Sequence, residues 1–315
     1  MNIAAKLAGG LALAVMLSGT AIASEPEACK TVRFSDVGWT DITATTAATS
    51  VVLEALGYEP EVKILSVPVT YASLKNKDID VFLGNWMPTM EGDIKAYRED
   101  GSVETVRANL EGAKYTLAVP KYTYDKGLKS FADIAKFRDD LDGKIYGIEA
   151  GNDGNRLIIG MIDQNLFGLE GFEVVESSEQ GMLAQVTRAG KRENDIVFLG
   201  WEPHPMNANF EMAYLEGGDD IFGPDFGGAT VYTNVRTGYV KECPNVGKLL
   251  ENLQFSLAME NEIMGAILND GEDPNKAAAA WLKVHPATFE SWLVGVKTFD
   301  GGDSFAAVKG ALGVE

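Results

Sequence analysis

The amino-acid sequence predicts an α/β protein of two lobes, each built on a mostly parallel sheet flanked by helices. Strand patterns alternate with helix patterns along the chain, which is typical of parallel sheets covered on both faces. Of the 315 residues, about 290 remain after an N-terminal export signal, more than one hydrophobic core usually holds. A weak internal repeat between the two halves of the chain indicates two lobes of similar design.

The individual elements follow from hydrophobic periodicity and from turn residues. Short apolar or alternating runs predict strands, whereas longer runs with apolar residues every three or four positions predict helices. Gly57 is the expected left-handed stop after the first helix, and the chain is expected to be helical from residue 244 onward. The predicted strands cover residues 31–37, 61–67, 79–84, 115–120, 144–149, 172–176, 195–200 and 231–236, and the predicted helices cover residues 42–56, 69–75, 155–165 and 180–189.

The order of these elements predicts where the chain passes between the lobes. We place one crossover near residues 113–120 and the return near residues 227–236. The first lobe is then discontinuous and consists of residues 24–115 and 231–315. The second lobe consists of residues 116–230.

Residues 1–23 have the pattern of a secretory signal peptide. Lys6 supplies a positive charge, residues 7–19 form an apolar run, and Ala21 and Ala23 form a small-x-small cleavage signal. We therefore expect cleavage after about Ala23 and a periplasmic protein, the alternative being a buried N-terminal helix. No later stretch reaches the roughly 18 unbroken apolar residues that a membrane span needs.

The charge of the chain restricts its partners. The formal net charge is −19, and it becomes −20 when Lys6 is removed with the signal. So acidic a protein is not expected to bind nucleic acid or an anionic membrane. The negative charge either favours a cationic ligand or serves solubility alone.

The sequence contains two cysteines, Cys29 and Cys243. An even number of cysteines in an exported chain suggests a disulfide. Cys29 could instead carry a lipid anchor, but the charged Glu27 lies close before it and outside the apolar run. The disulfide is therefore the favoured interpretation.

Three of the five tryptophans occupy equivalent positions. Residues 77–88 resemble residues 193–203, each copy consisting of an acidic turn, an apolar strand, Gly, Trp and Pro. Trp86 and Trp201 follow these two strands, and Trp39 follows the first strand of the chain. Ligands of open α/β sheets bind at the carboxyl ends of strands, so we expect the three indoles to line a cleft. Trp281 and Trp292 lie in apolar helical segments and are expected in the core.

Several converging indole faces suit a quaternary ammonium ion. Such a cation forms no hydrogen bond, but it gains cation–π attraction and apolar contact through its methyl groups. Two polar residues accompany the tryptophans. Asp41 is either a ligand contact or the cap of the helix that follows Trp39, and Asn152 is either a ligand contact or a turn residue.

Five segments together resemble the periplasmic choline-binding proteins of ABC importers, within the wider group that takes up glycine betaine and proline betaine. The resemblance extends over the whole mature chain and implies a two-lobed periplasmic binding protein fold of type II. The segments are residues 37–41 (VGWTD), 84–88 (GNWMP), 114–120 (KYTLAVP), 151–155 (GNDGN) and 199–205 (LGWEPHP).

The resemblance also implies a role for each matched residue. Four aromatic residues would enclose the trimethylammonium group, and two polar residues would bind the hydroxyl. Asn155 is the alternative to Asn152. Matched by motif, the cage is Trp39, Trp86, Tyr115 and Trp201, the hydroxyl partners are Asp41 and Asn152, and the disulfide is Cys29–Cys243.

Enzyme chemistry is not expected from this sequence. His204 and His285 are the only histidines, they are far apart, and the motifs of zinc peptidases and serine hydrolases are absent. We therefore predict no catalytic residue, no metal and no cofactor. Two lobes on a hinge predict closure on choline, or more weakly on acetylcholine, and we expect a monomer. The resemblance implies docking on a membrane permease driven by an ATPase. The alternative is a receptor for glycine betaine, proline betaine or carnitine.

Overall fold

The computed structural model describes residues 25–314. The predicted signal peptide of residues 1–23 and its cleavage site lie outside the described residues. Within the part that is described, no helix is both long enough and apolar enough to cross a membrane.

Nine strands join into one mixed sheet. The strands are β1 (Thr31–Asp36), β2 (Glu59–Ile64), β3 (Val81–Met87), β4 (Val103–Pro120), β5 (Lys144–Tyr146), β6 (Glu173–Val175), β7 (Phe198–Glu202), β8 (Met212–Tyr214) and β9 (Gly228–Arg236). Their spatial order is β2-β1-β3-β9-β4-β7-β5-β6, and β8 pairs with β4.

The strands at each end of this sheet pair in parallel, and the strands in its middle pair antiparallel. β1 pairs in parallel with β2 and β3, and β5 pairs in parallel with β6 and β7. Between these two groups, the long strands β4 and β9 run antiparallel to each other and to their outer neighbours. The predicted α/β fold is confirmed, but β4 and β9 join the two parallel groups into one sheet, where a separate sheet for each lobe was predicted. The predicted crossovers at residues 113–120 and 227–236 fall within β4 and β9, and the lobe boundaries themselves stay a prediction.

Helices cover the parallel strands and form most of the C-terminal region. They are α1 (Thr40–Ala55), α2 (Val67–Asn76), α3 (Glu91–Glu99), α4 (Lys121–Asp125), α5 (Asp153–Asp163), α6 (Glu179–Gly190), α7 (Met206–Asn209), α8 (Asp219–Phe222), α9 (Pro224–Gly227), α10 (Tyr239–Glu242), α11 (Pro244–Asn252), α12 (Leu257–Leu268), α13 (Pro274–Val284), α14 (Pro286–Trp292) and α15 (Ser304–Leu312). Short 3-10 helices cover Glu27–Cys29, Phe131–Phe137 and Leu166–Gly168.

The two copies of the internal repeat form equivalent strands. β3 and β7 each lie between a parallel group and one of the long antiparallel strands. Trp86 and Trp201 are within the last residues of β3 and β7, not just beyond them as predicted, because pairing with β9 and β4 extends both strands past the apolar run. The Met87–Pro88 and Glu202–Pro203 peptide bonds that follow are both cis.

The C-terminal tryptophans differ in burial. Trp292 is fully buried and donates its indole N–H to the carbonyl of Gln254, as expected of a core residue. Trp281 is only partly buried, stacks on the His285 ring and donates to the exposed carboxylate of Glu262. The prediction of a core position is therefore confirmed for Trp292 and wrong for Trp281, which is partly exposed.

A disulfide joins Cys29 to Cys243, as predicted, with a Cα–Cα distance of 5.6 Å and a sequence separation of 214. Its sulfur atoms are therefore neither lipid anchors nor thiolate ligands for a metal. Beside it, the carboxylate of Glu25 accepts hydrogen bonds from the backbone N–H groups of Asn245 and Val246 in the first turn of α11. Both links attach the N-terminal end of the described chain to the C-terminal helices.

Candidate ligand-binding site

All six residues that the sequence predicts for a ligand site line one cavity, and all six are buried. They come from separate parts of the chain and from both halves of the sheet. The cavity is lined by Trp39, Asp41, Trp86, Tyr115, Asn152 and Trp201, together with Ile148 and Asp153.

Strand ends and one helix start position the four aromatic rings. Trp39 occupies the position just before α1, and Trp86 and Trp201 lie at the ends of β3 and β7. Tyr115 on β4 is the direct cross-strand partner of Trp201, so both side chains lie on one face of the sheet. The Tyr115 centroid is 6.1 Å from those of Trp86 and Trp201, with interplanar angles of 63° and 84°.

Hydrogen bonds at the ring edges fix three of these rings. The indole N–H of Trp39 donates to Oε1 of Glu149 at 2.9 Å, and the indole N–H of Trp86 donates to Oδ2 of Asp41 at 3.1 Å. The Tyr115 hydroxyl donates to Oδ1 of Asn152 at 2.9 Å. Because the polar edges are engaged in this way, the apolar ring faces are what the cavity presents to a ligand.

Asp41 faces the cavity and does not cap its helix. It is the second residue of α1, and the capping position is held by Trp39. The carboxylate is buried, and its Oδ1 has no hydrogen-bond partner among the described residues. Burial, followed by the charge of Glu179, raises the pKa of Asp41 to about 8. Asp41 is therefore a buried carboxyl group with a vacant acceptor oxygen.

Of the two asparagines that the sequence left open, only Asn152 lines the cavity. It caps α5 by accepting from the Asn155 backbone N–H, and its Nδ2 donates to Oδ1 of Asp153. Nδ2 carries a second hydrogen that can be donated to a ligand oxygen. The side chain of Asn155 instead bonds backbone groups of Ile148 and Glu149 and the carboxylate of Glu176.

Two lining residues were not predicted. Ile148 contributes apolar surface, and Asp153 contributes a second buried carboxylate. The signal for Asp153 was its place beside Asn152 in the glycine-rich turn. An acidic residue in the first turn of a helix is so common that this signal did not stand out.

Three contacts join the elements around Trp39 and α3 to the elements around α5 and α6, and we call them the closing contacts. The first is the bond from Trp39 to Glu149 described above. In the second, the Glu179 carboxylate accepts from the backbone N–H and the hydroxyl of Thr40 at 2.8 and 2.6 Å. In the third, Arg156 pairs with Asp93 at 2.5 Å and donates to the Thr89 carbonyl.

His204 supports Glu179 from the far side. The backbone N–H of Met206 donates to Nδ1 of His204, so the ring proton lies on Nε2, 3.2 Å from Oε1 of Glu179. The same imidazole lies edge-on to Trp201, with centroids 4.8 Å apart. One histidine therefore links a cage ring to the carboxylate that binds the start of α1.

Residues 30–284 match the family described as the substrate-binding domain of ABC-type glycine betaine transport systems. The chain belongs to this family. Its members are solute-binding subunits of importers, in agreement with the predicted class of binding protein.

The chain resembles two solved structures and one curated relative. It is 74% identical to an ABC-transporter choline-binding protein in complex with choline, with a TM-score of 0.91 over 91% of this chain and 100% of the other. It is 73% identical to an ABC-transporter choline-binding protein in an unliganded semi-closed conformation, with a TM-score of 0.84 over the same shares. The glycine betaine/carnitine transport binding protein GbuC of Listeria monocytogenes is 30% identical over 132 residues, which are 42% of this chain and 43% of GbuC.

Proposed function

We propose that this chain is the periplasmic solute-binding subunit of an ABC importer that captures choline and delivers it to a membrane permease. One observation carries the proposal: four aromatic rings converge on a buried cavity in which Oδ1 of Asp41 has no partner. The 74% identity to a protein solved with choline supports the same ligand.

The rings are suited to the trimethylammonium end of choline. Its positive charge is spread over methyl groups that form no conventional hydrogen bond, so ring faces can hold it through cation–π attraction and apolar contact. Each desolvated ring contributes about 0.5–2 kcal/mol, so Trp39, Trp86, Tyr115 and Trp201 together contribute about 2–8 kcal/mol, against the roughly 8 kcal/mol of micromolar binding.

The polar residues are suited to the hydroxyl end. The choline hydroxyl can donate to Oδ1 of Asp41 and accept from Nδ2 of Asn152, so that both its donor and its acceptor are used. A hydrogen bond to a charged carboxylate contributes about 1.5–3 kcal/mol.

A receptor for glycine betaine, proline betaine or carnitine is the second candidate, because the family as a whole is described by glycine betaine transport. These ligands carry a carboxylate where choline carries a hydroxyl. No lysine or arginine is among the described residues that line the cavity, whereas Asp41 and Asp153 both are. The lining therefore favours choline.

Closure of the two predicted lobes would seal the ligand from water. Trp39, Asp41 and Trp86 belong to the predicted first lobe, and Asn152 and Trp201 belong to the second, with Tyr115 at the crossover. A ligand that contacts both lobes favours the closed form, which then docks on the permease and its ATPase. We further propose a monomer, weaker binding of acetylcholine because it lacks the hydroxyl hydrogen, and export with cleavage after about Ala23.

The direct test is calorimetry of the mature protein with choline, acetylcholine, glycine betaine and carnitine. We expect choline to bind most tightly. Tighter binding of glycine betaine or carnitine than of choline would move the second candidate ahead.

Removing either repeat tryptophan is expected to weaken choline binding by about 1–3 kcal/mol, through lost cation–π attraction and lost burial. The measurement is the calorimetric Kd of Trp86→Ala and of Trp201→Ala. Trp281→Ala is the matched control, because Trp281 lies on α13 and outside the cavity. Affinity close to that of wild type in both repeat variants would refute the cage.

Choline affinity is expected to rise with pH through the range in which Asp41 titrates. Burial and the charge of Glu179 raise the pKa of Asp41 to about 8, and the hydrogen bond from the Trp86 indole partly offsets them. Burial, followed by the charge of Asp41, also raises the pKa of Glu260. A bound cation favours the ionised carboxylate, so binding releases protons and the Kd falls as pH rises toward 8 and levels off above it.

Proton release can be measured by calorimetry in two buffers of different ionisation enthalpy at each pH. The stability of the ligand-free protein should change with pH in the opposite direction and fall as the pH rises. Its folded state holds a proton that the unfolded chain loses near the ordinary pKa of aspartate, so the contribution of Asp41 to stability declines as pH rises from about 4 to about 8. A Kd that stays constant between pH 6 and pH 9, with no proton released, would contradict the coupling.

A further inference from the structure

Asp153 is a buried carboxylate that the two roles assigned above do not use. It is the first residue of α5, its side chain is fully buried, and it lines the cavity beside Asn152. Oδ1 accepts from Nδ2 of Asn152. Oδ2 has no hydrogen-bond partner of normal geometry among the described residues.

Among the described residues, no cation forms a salt bridge with this carboxylate, and the opposing charges of Arg156 and Asp93 both act on it from a distance. The nearby Arg156 pairs with Asp93 and with the Thr89 carbonyl. None of the salt bridges within residues 25–314 includes Asp153. A buried carboxylate without a counter-ion is costly, and its pKa rises until it is partly protonated. Burial does raise the pKa of Asp153 to about 7.

Asp153 also lies close to one ring of the cage. The Asn152 side chain bonds both the Tyr115 hydroxyl and Asp153. The next residue, Gly154, packs so tightly on Tyr115 that an added Cβ would lie 2.2 Å from the phenol oxygen. The charge of Asp153 contributes to the raised pKa of Tyr115, second only to burial. The carboxylate is therefore near the rings that would surround a cation.

We propose that Asp153 is the counter-charge for the cationic end of the ligand and makes the site select a quaternary ammonium over an uncharged group of the same shape. This inference rests on the proposed function and deepens it. The ring faces then recognise the shape and the methyl groups, Asp41 recognises the hydroxyl, and Asp153 recognises the full positive charge.

A purely structural role makes a different prediction. An acidic residue in the first turn of a helix can stabilise that helix through its dipole. Loss of such a role would lower stability and weaken every ligand to the same degree. Loss of a counter-charge would weaken the cation alone.

The test compares choline with 3,3-dimethylbutan-1-ol, in which a carbon atom replaces the charged nitrogen. The Kd of each is measured for wild type, for Asp153→Asn, and for the control Asp163→Asn, which removes the same charge from the exposed end of α5. We expect Asp153→Asn to weaken choline by about thirtyfold and the uncharged alcohol by less than about threefold. The ratio of the two Kd values should stay at the wild-type level in the control.

If Asp153→Asn weakens both ligands equally, the ratio of their two Kd values stays at the wild-type level. That result would overturn the role of Asp153 while leaving choline capture intact. Failure of wild type to bind choline would instead overturn the proposed function and this inference with it. If Asp153→Asn does not fold, as judged by its thermal transition, Asp153→Ser is measured in its place, because serine is also accepted at a helix start. The same ratio decides the outcome.

Discussion

Replacement of Asp41 by asparagine is expected to weaken choline binding and to narrow the preference for choline over glycine betaine. Both ligands share the trimethylammonium group, so the cage treats them alike. At a pH above about 8, where Asp41 is ionised, its Oδ1 accepts the choline hydroxyl but repels the betaine carboxylate. The lost charged hydrogen bond should cost choline about 1.5–3 kcal/mol, whereas betaine loses a repulsion of several kcal/mol in a dry cavity and gains an amide donor.

Paired titrations of wild type and Asp41→Asn with both ligands measure this change. Glu54→Gln is the matched control, because it removes one charge from an exposed position on the same helix. The wild-type preference should also narrow at lower pH, since a protonated Asp41 can donate to a carboxylate. If Asp41→Asn keeps the wild-type preference for choline over glycine betaine, Asp41 does not select the ligand and only orients Trp86 through its Oδ2.

Loss of the Cys29–Cys243 disulfide is expected to destabilise the protein by about 5 kcal/mol, the value that chain entropy assigns to a loop of this length. The free energy of unfolding in guanidinium chloride, measured for oxidised protein and for the Cys29→Ser/Cys243→Ser variant, tests the magnitude. Choline affinity of the folded fraction should not change, because neither cysteine lines the cavity.

A thiol titration provides an independent check on the bond. Denatured, unreduced protein isolated from the periplasm should contain no free thiol, and reduced protein should contain two. Two reactive thiols before reduction would contradict the disulfide. A large loss of choline affinity on reduction would show that the bond also shapes the cavity.

The sequence predicted the parts of the fold whose signals are local. The apolar runs of β1, β3 and β7 indicated buried strands, and the segment before Gly57 indicated the helix α1, whereas the order of the strands in the sheet was not predicted. The three tryptophans of the cavity followed from this placement, since Trp86 and Trp201 lie at the ends of β3 and β7 and Trp39 lies between β1 and α1. Tyr115 and the ligand roles of Asp41 and Asn152 came from the resemblance.

What the sequence did not predict depends on contacts between distant residues. The first part of β4 was missed because it alternates poorly, its register against β9 shifts three times, and Glu104 and Glu111 are exposed. Glu179 and Glu149 are 139 and 110 positions away from the residues that they bind, and no local pattern marks them. Asp153 has an ordinary sequence position and becomes notable only through its burial and its vacant oxygen.

The closing contacts affect the overall affinity of the receptor, which is a different property from its preference among solutes. Under the closure proposed above, the bonds from Thr40 to Glu179 and the pair Arg156–Asp93 stabilise the closed form with any bound solute, so they raise the affinity for all solutes. Glu179 also acts on the preference among solutes, because its charge adds to burial in raising the pKa of Asp41. Substitution of Arg156 is therefore expected to change chiefly the affinity for all solutes together, whereas substitution of Glu179 is expected to change the preference for choline as well.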